Sequence, residues 1–377
     1  MSESIWQIVR RDYPVAERMA YLNSAAAGPV MRQAYEEAIS FYREMMEEGD
    51  ARWEQWLERR EALRGRVARF INADMDEVAF TTNTSTGMNL IVDALMGRGH
   101  VISCNLEFPV STWPWMHRGC AVELIQARDG EIEAEDVRRA MTERTGIISL
   151  SHVQYSNGFR APLEAIGAIK GQHAFVVNAS QSAGAFGIDV KRMQIDALCA
   201  TGHKWLTAGY GAGFVYLSRR LLEETSPRAI GWLSVEDPFQ MMYGVDFKVR
   251  RDAAARAELG CPHFAGIFSL GASVERFMEI GTEKIEARVL ELNCSLTHKL
   301  QEAGWRVLSP LRSEATRSAQ TLLAADDPKG LTEHLLSRGI AVTEKPQGIR
   351  ISTHLFNNED DITRLLAALT DAQEFRA

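Results

Sequence analysis

The sequence predicts an α/β protein, a large domain followed by a smaller one, and three observations carry that expectation. Short apolar runs suited to buried strands recur at Gly146 to Val153, His173 to Asn178, Ala197 to Ala200 and Gly213 to Leu217. Longer stretches with apolar residues at helical spacing lie between and around them. The chain has 377 residues, more than one domain of ordinary size needs.

Composition narrows the class. With 46% hydrophobic and 24% charged residues the chain is ordinary globular material, and no apolar run approaches the roughly 18 residues of a membrane span. A net charge of −8 and a pI near 5.7 argue against nucleic acid or an anionic membrane as partner. The start, MSESIWQIVRRDYP, has no apolar signal core, and the five cysteines (Cys104, Cys120, Cys199, Cys261, Cys294) are odd in number and widely spaced. A cytoplasmic location with reduced thiols is the expectation. No CxxC or HExxH pattern points to a metal.

Taken in order, Ser4 to Tyr13 reads as a short amphipathic helix before Pro14, and Tyr21 to Val30 (YLNSAAAGPV) as a turn whose small side chains permit close backbone approach to a ligand. Arg32 to Glu48 and Arg52 to Phe70 are amphipathic helices; Trp53, Trp56, Leu57, Leu63 and Val67 of the second suit a core or a subunit interface. Val78 to Met96 then gives a strand, a run of hydroxyl residues and an apolar helix. That layout is an anion site, because the first helical N–H groups are unpaired, the helix dipole favours negative charge and hydroxyls add donors. Thr84, Ser85 and Thr86 are placed to hold a phosphate; capping alone would need one hydroxyl. His100 to Trp115 supplies a strand ending at Glu107-Phe108-Pro109, and after the strand at Gly146 the segment Gln154 to Ile166 turns into a helix at Gly158 and Pro162.

Between Ile195 and Arg219 a lone lysine, Lys204, follows an apolar strand and precedes the glycines Gly209, Gly211 and Gly213. Burying an ammonium is costly, so a lysine there is ion-paired or used as an amine, for example in a Schiff base to an aldehyde cofactor. Toward the C-terminus, helices are expected at Thr282 to Ala303, Lys329 to Arg338 and Glu359 to Ala372, with strands at Ser318 to Ala325 and Ile340 to Thr343 and a further strand ending in the segment that begins at Gly348.

The tetrapeptide Gly202-His203-Lys204-Trp205, the segment Asn83-Thr84-Ser85-Thr86-Gly87-Met88-Asn89, the Tyr21 turn, the Gly231-Trp232 loop and the stretches Glu258 to Phe277 and Gly348 to Ile362 occur in one order along the chain. Together they resemble the class V aminotransferase-fold enzymes, which use pyridoxal 5'-phosphate, in the branch of cysteine desulfurases, isopenicillin N epimerase-like proteins and C–S lyases. The resemblance implies fold type I: a mostly parallel seven-stranded sheet in a large domain over residues 21–256, a small α+β domain over 257–377, and residues 1–20 packing with the small domain. It implies that Lys204 carries the cofactor aldehyde, that Thr84, Ser85 and Thr86 hold the phosphate with His203 near it, that Phe108 stacks on the ring, and that Gln181 meets its phenolic oxygen. One of Gln154, Tyr155 and Asn157 also reaches that oxygen. Asn23 and Ala26 border the substrate, an amino acid whose carboxylate is clamped by Arg350, since a guanidinium is a planar fork matched to a carboxylate. Adjacent strand residues alternate in face, so one of His203 and Lys204 is expected to face the ring.

The chain departs from the family at two positions. Asn178 stands where the family has an aspartate that keeps the pyridine nitrogen protonated; an amide can donate to that nitrogen but lacks the charge, which weakens the electron sink. Cys261 stands where a Thr or Ser reaches the phosphate of the neighbouring subunit's cofactor, and a thiol donates poorly. A homodimer remains the implied assembly. No cysteine lies between Gly339 and Arg350, which speaks against a persulfide-forming desulfurase. The function expected is an amino-acid enzyme of aminotransferase, epimerase or C–S lyase type; the alternative is a non-catalytic binding or interaction protein of this fold that has lost the pyridine-nitrogen carboxylate.

Overall fold

Seven strands form the central sheet, in the order Val78–Thr81, Gly213–Leu217, Ala197–Thr201, Ala174–Asn178, Thr145–Ser151, His100–Cys104, Val122–Ile125. The structure, a computed structural model, describes residues 3–240 and 247–377. Gly213–Leu217 is antiparallel to both its neighbours, and the other pairings are parallel. The strands at 145–151, 174–178, 197–201 and 213–217 are covered on both faces, which is why they read as unbroken apolar runs instead of alternating ones.

Alternation sorts those side chains between two cores. Ile147, Val176, Ala197, Cys199 and Val215 face the helix Thr84–Leu95 through Met88, Ile91, Val92 and Leu95. Ile148, Leu150, Phe175, Val177, Leu198 and Phe214 face the opposite layer, with Ile166, Val67 and Phe268. The helix Thr84–Leu95 lies so close to the sheet that a Cβ at Gly87 would stand 3.0 Å from the Cys199 Cβ. In the opposite layer the helices Arg32–Glu48, Trp53–Phe70 and Phe264–Ile280 meet through Phe41, Trp53, Trp56, Phe264 and Phe268, ring centroids 5.0–5.8 Å apart. Trp56 is thus a core residue.

The C-terminal part is an α+β layer: an antiparallel sheet ordered Thr343–Lys345, Gly348–Ser352, Gln320–Ala324, packed by the helices Thr282–Glu302, Pro328–Ser337 and Glu359–Thr370. Arg306 to Leu308 runs beside Gln320–Ala324, with a bridge from Val307 to Leu323 and the Leu308 amide donating to the Leu322 carbonyl at 2.8 Å. The N-terminal segment is stitched to this layer. Ala20–Tyr21 pairs in parallel with Ile340–Ala341, and the Arg10 guanidinium donates to both Asp361 carboxylate oxygens at 2.8 and 3.1 Å. The Ser352 amide donates to the Leu22 carbonyl at 2.8 Å, so the turn at Asn23 to Gly28 is carried from the small sheet to the C-terminal ends of the large one. No helix among the described residues is long and apolar enough to cross a membrane.

Candidate active site

Parallel α/β sheets present their strand C-termini to a common crevice. Here register makes those ends level, with Ser151 opposite Asn178 and Asn178 opposite Cys199. A cleft of about 400 Å³ opens above them, and Ala26, Thr84, Ser85, Phe108, Asn178, Gln181, His203, Lys204 and Arg350 all line it, joined by Tyr155, Ser180, Thr343 and Lys345.

Lys204 sits in the turn after the strand Ala197–Thr201, not on the strand. Face alternation therefore does not govern this pair, and both His203 and Lys204 border the cleft. The ammonium lies 5.8 Å from the Phe108 ring centroid. Its pKa falls from 10.5 to about 8, through burial first and then through the positive charges of Arg350 and Lys345. The turn is held from behind by the small-residue segment: the Gly28 amide donates to the His203 carbonyl at 2.8 Å, and a Cβ on Gly28 would stand 2.1 Å from the Lys204 carbonyl oxygen. The close approach at Gly28, expected toward a ligand, is made instead to the lysine segment's backbone. His203 Nδ1 lies 2.7 Å from the Thr201 hydroxyl, and its ring stacks on Tyr210 at 4.6 Å. Burial, then Lys204, lowers its pKa to about 4, so the imidazole is neutral at pH 7.

The helix Thr84–Leu95 aims its N-terminus at the cleft. Its cap is Asn83, whose side-chain oxygen accepts from the Thr86 amide at 2.9 Å, leaving the Thr84 and Ser85 amides without a partner inside the helix. The Thr84 hydroxyl is 2.5 Å from that of Ser180, which follows Asn178. Thr86 is not part of the lining, and its hydroxyl pairs with Thr82 at 3.0 Å. Asn23 also stands behind the wall, where its side-chain oxygen accepts from the Thr343 hydroxyl.

Asn178 is buried, with its side-chain oxygen accepting from the Ser180 amide and its nitrogen donating to the Ser111 hydroxyl, both at 3.0 Å. One of its two amide hydrogens is left over. Gln181 is likewise buried: its oxygen accepts from the Trp205 indole at 2.8 Å and its nitrogen donates to the Ala25 carbonyl at 3.0 Å. Of the three residues left open in the turn after the strand Thr145–Ser151, only Tyr155 lines the cleft. Gln154 donates to the Glu107 carboxylate at 2.7 Å, and Asn157 to the Gly130 carbonyl at 2.8 Å. Phe108 is 44% exposed, so its ring is not a core ring; it meets Tyr155 edge-on at 5.0 Å.

Arg350 is buried, donates to the Tyr155 carbonyl at 3.3 Å, and among the described residues has no partner for Nε. Burial lowers its pKa to about 10. Neither Arg350, Lys204 nor Lys345 takes part in an ion pair among the described residues. A cleft with three cations and no paired carboxylate is a receptor for anions. Lys345 escaped the sequence reading because its position depends on a hairpin register. Thr343 pairs opposite Arg350 and Lys345 opposite Gly348, so both strands send their cations to one face.

A mostly parallel seven-stranded sheet, an amine at its C-terminal edge and an anion cradle beside it define the architecture of fold type I enzymes. The aminotransferase class-V family model matches residues 20–365, and the chain belongs to that family, whose cofactor is pyridoxal 5'-phosphate. Its relatives include an uncharacterized aminotransferase, YcbU, of Bacillus subtilis, 27% identical over 90% of this chain and 89% of that one. Isopenicillin N epimerase of Streptomyces clavuligerus is 26% identical over 98% of each chain. Among solved structures, the apo cysteine desulfurase of Thermococcus onnurineus NA1 superposes with a TM-score of 0.88 over 98% of each chain at 23% identity, a likeness of fold. The residues present fit the cofactor: unpaired helix amides and hydroxyls for a phosphate, a free primary amine, an aromatic ring and an amide with a spare hydrogen border one space.

Proposed function

We propose that this protein is a pyridoxal 5'-phosphate enzyme acting on an amino acid through Lys204, as an aminotransferase, epimerase or C–S lyase. The observation that carries the reading is the Lys204 amine, with its pKa lowered to about 8, facing a cleft that also holds an unpaired Arg350 and the N-terminus of the helix Thr84–Leu95. Bound there, the cofactor supplies an aldehyde for Schiff-base formation and a ring that draws electrons from Cα. The Thr84 and Ser85 amides and the Ser180 hydroxyl hold the phosphate, with neutral His203 as a further hydrogen-bonding group. Phe108 covers the ring, Asn178 offers its remaining hydrogen to the ring nitrogen, and Arg350 grips the substrate carboxylate. Lys204 would hold the cofactor, and its amine, when free, would serve as the base that takes the Cα proton.

A persulfide-forming desulfurase is disfavoured. None of the five cysteines lines the cleft, and Cys104 and Cys199 are buried, with their thiol pKa values pushed up by that burial. The chain is further proposed to act in the cytoplasm, which the five unpaired cysteines support. It is also proposed to act as a homodimer. The helix Arg32–Glu48 supports this with exposed Tyr35, Ile39, Tyr42 and Met46 at i, i+4, i+7 and i+11, one apolar stripe fit for a self-complementary contact.

The test is optical. Protein loaded with pyridoxal 5'-phosphate should absorb near about 420 nm, amino acids should perturb that band, and Lys204→Ala should lose it. A colourless wild-type protein that resists loading would favour the non-catalytic alternative.

A further inference from the structure

The hairpin that carries Arg350 carries a second cation into the same cleft. Thr343, Lys345 and Arg350 share one face of the antiparallel pair Thr343–Lys345 and Gly348–Ser352, while Glu344 points away and is exposed. Arg350 stands opposite Thr343, so Lys345 is its diagonal neighbour, roughly 7–8 Å away by ordinary sheet geometry. The Lys345 ammonium lies 4.8 Å from the Tyr155 ring centroid, and Tyr155 in turn gives its carbonyl to Arg350. Tyr155 thus touches both cations, one through its ring and one through its carbonyl. No carboxylate among the described residues pairs with Lys345, and neither Glu344 nor Glu107 reaches it: Glu107 is committed to Ser151 and Gln154.

Once the phosphate cradle and the carboxylate grip of Arg350 are assigned, Lys345 is left over. Its pKa is lowered to about 8 by burial and then by Arg350, so an anion beside it would relieve a real electrostatic cost. A cation held at sheet spacing from the carboxylate clamp matches a ligand with two anionic groups separated by a short aliphatic chain.

We propose that Lys345 is a specificity-determining residue that binds a second acidic group, so that the substrates this cleft prefers are amino acids with an anionic side chain. This rests on the reading of Lys204 and Arg350 given above. It puts the second anion beside Tyr155, on the hairpin side of the cleft lining.

Isosteric pairs test it, because aspartate and asparagine, or glutamate and glutamine, differ in charge and hardly in shape. In the loaded wild-type enzyme, the cofactor band titrated with each pair should give an affinity at least about tenfold higher for the acid. In Lys345→Met that ratio should fall to within about twofold, while Arg350→Ala should weaken both members of a pair alike. Calorimetry with glutarate against butyrate reads the same subsite without Schiff-base chemistry, and Lys345→Met should erase the preference for glutarate. Equal affinities within the wild-type pairs, or a ratio that survives in Lys345→Met, would overturn the second subsite while a normal cofactor band leaves Lys204 in its role. Absence of the band with the glutarate preference intact would instead remove the Schiff-base reading and keep the anion subsite.

Discussion

Lys204 owes its lowered pKa to burial and to two cationic neighbours, and that has a measurable sign. A lysine is nucleophilic only when neutral, so capture of pyridoxal 5'-phosphate by the unloaded protein should rise as pH passes through about 8, not through the ordinary 10.5. In Lys345→Met one repelling charge is gone, and the profile should move to higher pH; stopped-flow absorbance checks both. Asn178 makes the second claim at this scale. Its amide is fixed by Ser111 and Ser180 and carries no charge, so Asn178→Asp should strengthen the electron sink, raising turnover by on the order of tenfold and shifting the pH dependence of the cofactor spectrum. If spectrum, pH dependence and turnover all stayed the same, the weakened-sink argument would fail. The residues lining the cleft were readable in sequence wherever chemistry sits next to a backbone signal: Lys204 behind a strand, Thr84 and Ser85 at a helix start. Lys345 carries no such signal, and the alternation argument for His203 and Lys204 failed because the strand stops at Thr201.

At the scale of elements, the lysine turn depends on a contact between segments far apart in the chain. The Gly28 backbone occupies the space where a side chain would strike the Lys204 carbonyl. Gly28→Ala should therefore displace the lysine turn, costing about 1–3 kcal/mol in thermal or urea unfolding and lowering the affinity for the cofactor, which equilibrium dialysis would report. Unchanged values for both would mean that the turn relaxes freely. The small-residue run at Asn23 to Gly28 announced close packing, but its partner could not be read from one sequence, since it depends on how the small sheet is stitched to the large one through Ser352 and Leu22.

Across the whole molecule, the sheet's C-terminal edge, the Asn23 to Gly28 turn and the C-terminal hairpin close one cleft, so residues from position 25 to position 350 line a single space. The α/β class was legible because doubly covered strands are continuous apolar runs; sheet order and the hairpin's contribution were not, because pairing is non-local. The homodimer proposal belongs here as well. If the exposed stripe on Arg32–Glu48 is buried between two copies, sedimentation should give twice the monomer mass, and Tyr42→Arg should shift it toward monomer; a monomeric wild type would dismiss it.

The most direct test of the account is chemical. Loaded protein reduced with borohydride and digested should carry the pyridoxyl phosphate adduct on the peptide containing Lys204 and on no other. An adduct on Lys345 or on a surface lysine, with Lys204 unmodified, would contradict it.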